Sequence, residues 1–132
     1  MFADFRPRHI PALFSATAMF FGGLWPLFGA DGPRATMIEY GLPQHIAEAP
    51  EAAPVMVAIS GRTTVIGALM YLLYYRRRYD VVDTIMAVMG FYLAVLDPYA
   101  LYGLASTSWC VFRGVSTFAF GLMGYYGLTA GR

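Results

Sequence analysis

Three ionisable side chains stand inside long apolar runs: Arg62, Asp97 and Arg113. A guanidinium presents a planar fork of donors that grips a carboxylate or phosphate through two hydrogen bonds. A carboxyl group among arginines has its pKa raised by burial and lowered by the neighbouring charges. These residue types therefore offer capture of an anionic or enolisable group by Arg62 and Arg113, with Asp97 as general acid or base. One aspartate does not neutralise two arginines. The excess charge calls for Glu39 folding back from a loop, a lipid phosphate or an anionic substrate, so Glu39 joins the arginines as a candidate substrate-binding residue. The plain alternative is a closed Arg62–Asp97–Arg113 network that sets helix register, with Glu39 solvated.

The elements that must position these residues are membrane-length helices. Residues 10–28 contain no charge, and at 1.5 Å per residue they nearly cross a hydrocarbon core of about 30 Å. Residues 55–75, 81–103 and 106–128 are the next three expected spans. A polar loop, 29–54, separates the first two and carries Pro33, Pro43, Pro50 and Pro54. Short helices are expected in it over 33–40 and 44–49. A cleaved leader is disfavoured, because bulky Phe28 stands where a cleavage site needs a small residue. The sequence thus predicts an all-α membrane protein, one domain over 1–132, built as a four-transmembrane-helix bundle.

Charge and composition agree. Hydrophobic residues make up 58% of the chain and charged residues 13%, against roughly a quarter charged in ordinary soluble domains. All nine basic residues are arginine. Arg6, Arg8, Arg76, Arg77, Arg78 and Arg132 fall on one side of the expected spans, and Arg34 alone falls in the loops on the other. The positive-inside rule then puts both termini in the cytoplasm, at the inner membrane of a bacterium or an endomembrane such as the endoplasmic reticulum of a eukaryote. A net charge of +1 with no basic stripe excludes nucleic acid as a partner. The single Cys110 excludes an intramolecular disulfide and dithiol chemistry. No His or Cys set has metal spacing, and His9 and His45 read as interfacial residues. No cofactor or metal is expected.

Depth brings the three charges together. Arg62 and Arg113 each lie seven residues from the outer start of their spans, and Asp97 about six from the outer end of its own. All three should sit about 10 Å below the outer boundary. An arginine near the middle of a span costs about 2.5 to 3.5 kcal/mol on insertion scales, so the three should turn inward and pair. Ser60, Thr64 and Gly67, and Gly114, Thr117, Gly121 and Gly124, form small-residue stripes that permit close helix approach.

A repeat runs through the same residues. Tyr74-Tyr75 and Tyr125-Tyr126 follow Arg62 and Arg113 by 12 and 13 residues, and Leu24-Trp25-Pro26 answers Leu96-Asp97-Pro98. Spans one and two would then repeat as three and four, related by an axis along the membrane normal. Trp25 would hold the place of Asp97.

Several short motifs, in order, resemble a known family. They are Phe21-Gly22-Gly23-Leu24, Pro33-Arg34-Ala35, Tyr40-Gly41-Leu42-Pro43, Gly61-Arg62, Asp97 and Arg113. Their order and spacing resemble the small four-helix integral membrane proteins grouped as domain of unknown function 4267, over about residues 10–130. The resemblance implies a four-helix bundle and no known activity. The setting of some fungal relatives beside secondary-metabolite genes implies a lipophilic intermediate as the molecule acted on.

Three functional readings remain open. The first is a membrane-embedded enzyme or accessory with isomerase- or cyclase-like acid–base chemistry on a lipophilic anion, using Asp97, Arg62, Arg113 and Glu39. The second is a non-catalytic membrane scaffold that binds a partner. The third is a small homo-oligomeric transporter. An enclosed cavity touching all three charges favours the first, a packed ion pair the second and a continuous polar track the third.

Overall fold

The computed structural model describes residues 5–131. Six α-helices and no strand occur among them. Helix α1 (Ile10–Leu24) follows a 3-10 turn, Pro7–His9, and runs on into a second, Trp25–Leu27. Helices α2 (Gly32–Tyr40) and α3 (Gln44–Ala47) occupy the polar loop. Proline falls in the first turn of α1 and of α2, where its missing N–H costs nothing because that position has no helical acceptor. Helices α4 (Ala52–Tyr75), α5 (Tyr79–Leu101) and α6 (Thr107–Tyr125) complete the chain. The helices coincide with the expected helical segments to within a few residues at their ends.

Three segments are long and apolar enough to cross a membrane: Pro7–Leu27, Ala52–Tyr75 and Tyr79–Leu101. The sequence reading expected a fourth over 106–128. Helix α6 has 19 residues, but Arg113 and its serines, threonines and glycines dilute its apolarity, so composition alone does not mark it.

The helices pack as two antiparallel pairs, α1 along α4 and α5 along α6. Small residues make both seams. A Cβ on Gly67 would come within 2.5 Å of the Phe20 backbone nitrogen, and Gly90 meets Gly121 backbone to backbone. This is the close approach expected from the small-residue stripes. The two pairs join through a core of Ala12, Ala16, Met70, Tyr74, Val82 and Met86, with Phe120 packed against it. These residues cluster toward the end where α4 turns into α5 through Arg76–Arg78. At the opposite end α2 bridges the pairs, lying against the Trp25–Leu27 turn and α4 while its last residue reaches α5 and α6.

Candidate functional site

Asp97 lies one turn before the end of α5, ahead of Pro98, and only 2% of it is exposed. The helix continues through Pro98 to Leu101. Gly114 of α6 sits opposite, where a Cβ would stand 2.9 Å from Pro98 Cγ and 3.3 Å from the Ala94 carbonyl oxygen. The missing side chain lets α6 close on α5 and brings the preceding residue, Arg113, onto the aspartate.

Arg113 donates to Asp97 Oδ2 from Nη2 at 2.6 Å and from Nε at 3.2 Å. The other carboxylate oxygen, Oδ1, accepts from the Tyr40 hydroxyl at 2.7 Å. The Arg113 guanidinium carbon also lies 4.0 Å from the centroid of the Tyr40 ring, a distance at which the ring face attracts the cation. Both carboxylate oxygens are thus held by charge-assisted bonds, which are shorter and stronger than neutral ones. Burial, and after it the hydrogen bond to Asp97, pushes the Tyr40 hydroxyl up to about 12. It therefore stays protonated and remains a donor throughout the neutral range.

Tyr40 is itself placed by a helix stop. Gly41 has φ 104°, a left-handed conformation that glycine adopts without penalty. Gly41 N donates to the Ile38 carbonyl and Leu42 N to the Met37 carbonyl, both at 3.0 Å, the paired bonds that close a helix C-terminus. A Cβ on Gly41 would lie 2.7 Å from the Trp109 indole. That indole donates from Nε1 to the Tyr40 carbonyl at 3.1 Å. So α6 contributes Arg113 to the tyrosine's side chain and Trp109 to its backbone.

The three-charge cluster expected from depth is not formed. Arg62 is exposed on α4 and makes no hydrogen bond or ion pair among the described residues. Glu39, next to Tyr40, is also exposed and points to neither arginine's bond network. The reason is rotational. Equal depth on separate helices does not make residues face one another, and the inward face of α4 at this level is taken by Ser60 and Thr64 against Gly23.

A second buried polar cluster lies at the opposite end of the molecule. His9 Nδ1 and the Tyr74 hydroxyl are 2.8 Å apart, and the His9 ring packs against Tyr74 and Tyr79. Asp83 accepts from the backbone N–H groups of Thr129 at 3.0 Å and Ala130 at 2.8 Å. His9, Asp83 and Thr129 are each at most 2% exposed. The interfacial reading of His9 is therefore corrected. It is interior because the chain's N-terminal turn and C-terminal segment both fold onto the α4–α5 turn. Cys110 is buried and within 3.7 Å of the Leu101 carbonyl, as a packing residue. No group of three or more metal-ligating side chains occurs among the described residues.

Two surface cavities among the described residues lie away from Asp97 and Arg113. A shallow apolar groove of about 530 Å³ runs along α6 beside Val111, Val115 and Ala119. A smaller one of about 290 Å³ lies beside Asp80, Asp83, Tyr125 and Tyr126.

With this geometry in hand, the sequence profile of the domain of unknown function 4267 (DUF4267) matches residues 16–127. The chain belongs to that family. No curated protein and no solved structure matches it. The description of DUF4267 names no activity, and the link to secondary metabolism that the resemblance implied has no support in these matches. The matched range of this DUF4267 chain takes in Tyr40, Arg62, Asp97, Trp109 and Arg113, and leaves out His9 and Thr129.

The pair Asp97–Arg113 was thus among the sequence candidates, whereas Tyr40 and Trp109 were not. A signal for Tyr40 existed. A tyrosine followed by glycine at the end of a Pro-initiated helix marks a residue whose direction is fixed by its cap. Nothing in the sequence marked Trp109.

Proposed function

We propose that this chain is a single integral membrane domain that works by binding and not by catalysis, with Asp97, Arg113 and Tyr40 serving as a structural clasp. The observation that carries this reading is the state of the Asp97 carboxylate. It is 2% exposed, and both oxygens are engaged by protein donors. A general acid or base needs a substrate proton within about 3 Å or one water away, and the clasp fills that position with protein.

Packing supports a reading with four spanning helices. Helix α6 lies antiparallel along α5 with close contacts from Gly124 at one end to Gly114 near the other. If α5 crosses the bilayer, α6 crosses beside it, since its 19 residues extend about 28 Å. Outward-facing Phe14, Val65, Tyr92, Val95 and Val115 are all more than half exposed. Such faces suit lipid, whose acyl chains are as apolar as the side chains themselves. The arginine asymmetry favours cytoplasmic termini, with α2 and α3 as a cap on the other side. The clasp then ties that cap to the second helix pair, leaving the outward faces for a lipid, a lipophilic molecule or a partner protein.

The test separates a clasp from an acid–base residue. Asp97→Asn should lower folded protein level, and the exchanged pair Asp97→Arg with Arg113→Asp should restore most of it. A catalytic carboxylate would not survive relocation to the other helix. Deleting the gene and comparing extracted lipophilic metabolites gives the opposing outcome. An accumulating precursor that Asp97→Asn also produces, at normal protein level, would sink the non-catalytic reading.

A further inference from the structure

The arginine left outside the clasp stands in a setting that specifies a ligand. On α4 the residues Val55, Ile59, Val65, Leu69 and Leu72 are each more than 40% exposed. With Arg62 they recur every three or four residues and make one outward stripe, apolar but for the guanidinium. The level of Arg62 can be read from its neighbours. Gly23 packs on Ser60 and Thr64, so Arg62 is level with Gly23, four residues short of the end of the apolar segment at Leu27. Measured along α1 its Cα lies about 6 Å inside that end, and measured along α4 from Ala52 it lies about 15 Å inside. The packing against Gly23 sets the shorter distance, with the first turns of α4 rising beyond the end of α1. An arginine stem spans such a distance and carries its charge to the headgroup layer. Arg62 itself is exposed, and a Cβ on neighbouring Gly61 would meet no atom within 4 Å.

No carboxylate among the described residues, Asp31, Glu39 and Glu51 included, is paired with Arg62. Asp97 is committed to Arg113 and Tyr40. Glu48 is paired with Arg34 and Gln44. A second copy docked on this stripe about a twofold axis along the membrane normal would set Arg62 against its own mate, a like-charge contact. Below Arg62 the stripe continues through Val65 and Leu69 to Leu72. From about 6 Å inside the boundary, the seven residues to Leu69 rise about 10 Å and reach the midplane of a hydrocarbon core of about 30 Å, with Leu72 just beyond it.

We propose that Arg62 and the stripe below it form a binding site for an anionic phospholipid of the leaflet on the α2–α3 side. The guanidinium takes the phosphodiester through paired N–H···O bonds, and an acyl chain lies along Val65 and Leu69. This inference rests on the membrane reading above and deepens it, because it names the first molecule the outward faces hold.

The experiment uses the full chain in vesicles of phosphatidylcholine and phosphatidylglycerol, 3:1. The protein is then extracted in mild detergent, and retained lipid is measured by native mass spectrometry. Wild type should retain phosphatidylglycerol several-fold above its share of the vesicle. Arg62→Leu should bring that ratio to about one with an unchanged melting temperature, and Arg62→Lys should fall between. Replacing Arg76, Arg77 and Arg78 by Gln should leave most of the enrichment in place. The proposal is overturned if Arg62→Leu keeps the enrichment, if the triple Gln variant abolishes it, or if Arg62→Leu instead converts a dimer to a monomer. Failure of the membrane reading itself would look different: the chain would not float with the vesicles at all.

Discussion

The two helix pairs carry an arginine at corresponding places, and the two arginines have opposite fates. In α5/α6, Arg113 meets Asp97 and is drawn into a clasp with Tyr40. In α1/α4, Arg62 meets no carboxylate and faces outward. Trp25, which precedes Pro26 as Asp97 precedes Pro98, is 53% exposed. The backbones diverge at the same point. α5 runs on through Asp97-Pro98 for another turn, whereas α1 ends at Leu24 and Trp25-Pro26 belong to a 3-10 turn. A charge inside an apolar helix is thus not by itself a buried charge. Its orientation follows from whether a partner of opposite sign stands on the neighbouring helix, because only a paired charge recovers what burial costs.

Matched substitutions can break or sharpen this contrast. The largest effect is expected at Arg113→Leu. It leaves the Asp97 carboxylate buried without its cation, and losing one partner of such a pair costs about 3 to 5 kcal/mol. Thermal unfolding in detergent micelles reads it, and replacing both residues by Leu should recover a large part. If Arg113→Leu melts like wild type, the clasp does not hold the fold together.

Tyr40→Phe comes next, removing a donor to a charged acceptor at a cost of about 2 kcal/mol. It also carries a pH signature. The Tyr40 pKa is raised to about 12 in the folded protein from a reference of 10.0. The unfolded chain therefore ionises first as pH rises, and the contribution of the tyrosine is intact below pH 10 and lost as pH climbs toward 12. Unfolding temperature should hold steady through the neutral range and fall in that alkaline window. The fall should be smaller in Tyr40→Phe, and an identical fall in both would show that other groups cause it.

Gly41→Ala should cost about 1 to 3 kcal/mol, since it puts a side chain at φ 104° and into the Trp109 indole. Trp109 fluorescence should shift in the same variant, and an unmoved emission maximum would place the strain elsewhere. The smallest effect belongs to the other arginine. Arg62→Leu should change stability by no more than about 0.5 kcal/mol, as exposed substitutions do. Equal losses at Arg62 and Arg113 would erase the contrast between the two helix pairs.

Much of this was legible beforehand, for local reasons. The α4 boundaries follow from an apolar run closed by Tyr74-Tyr75 and three arginines. Helices α2 and α3 follow from prolines and a glycine stop. The small-residue stripes on α4 and α6 announced which faces would approach, and Gly67 and Gly121 lie in those seams. Asp97 and Arg113 were legible as a pair because they are ionisable groups at one depth on consecutive helices.

Other features had no local signal. Trp109 looks like any tryptophan near a helix start, and its bond to the Tyr40 carbonyl spans 69 residues. His9 reads as a polar residue at an apolar boundary, and becomes interior only when Thr129 and Tyr74 close over it. Helical periodicity and composition are properties of one segment, so the sequence by itself determined where helices run, which stripes are small and which residues are ionisable at depth. How far each helix turns about its own axis depends on the surface it packs against. That rotation, set by contacts between distant segments, placed Arg113 inside a clasp with Tyr40 and left Arg62 facing out. It was decided only by the tertiary structure.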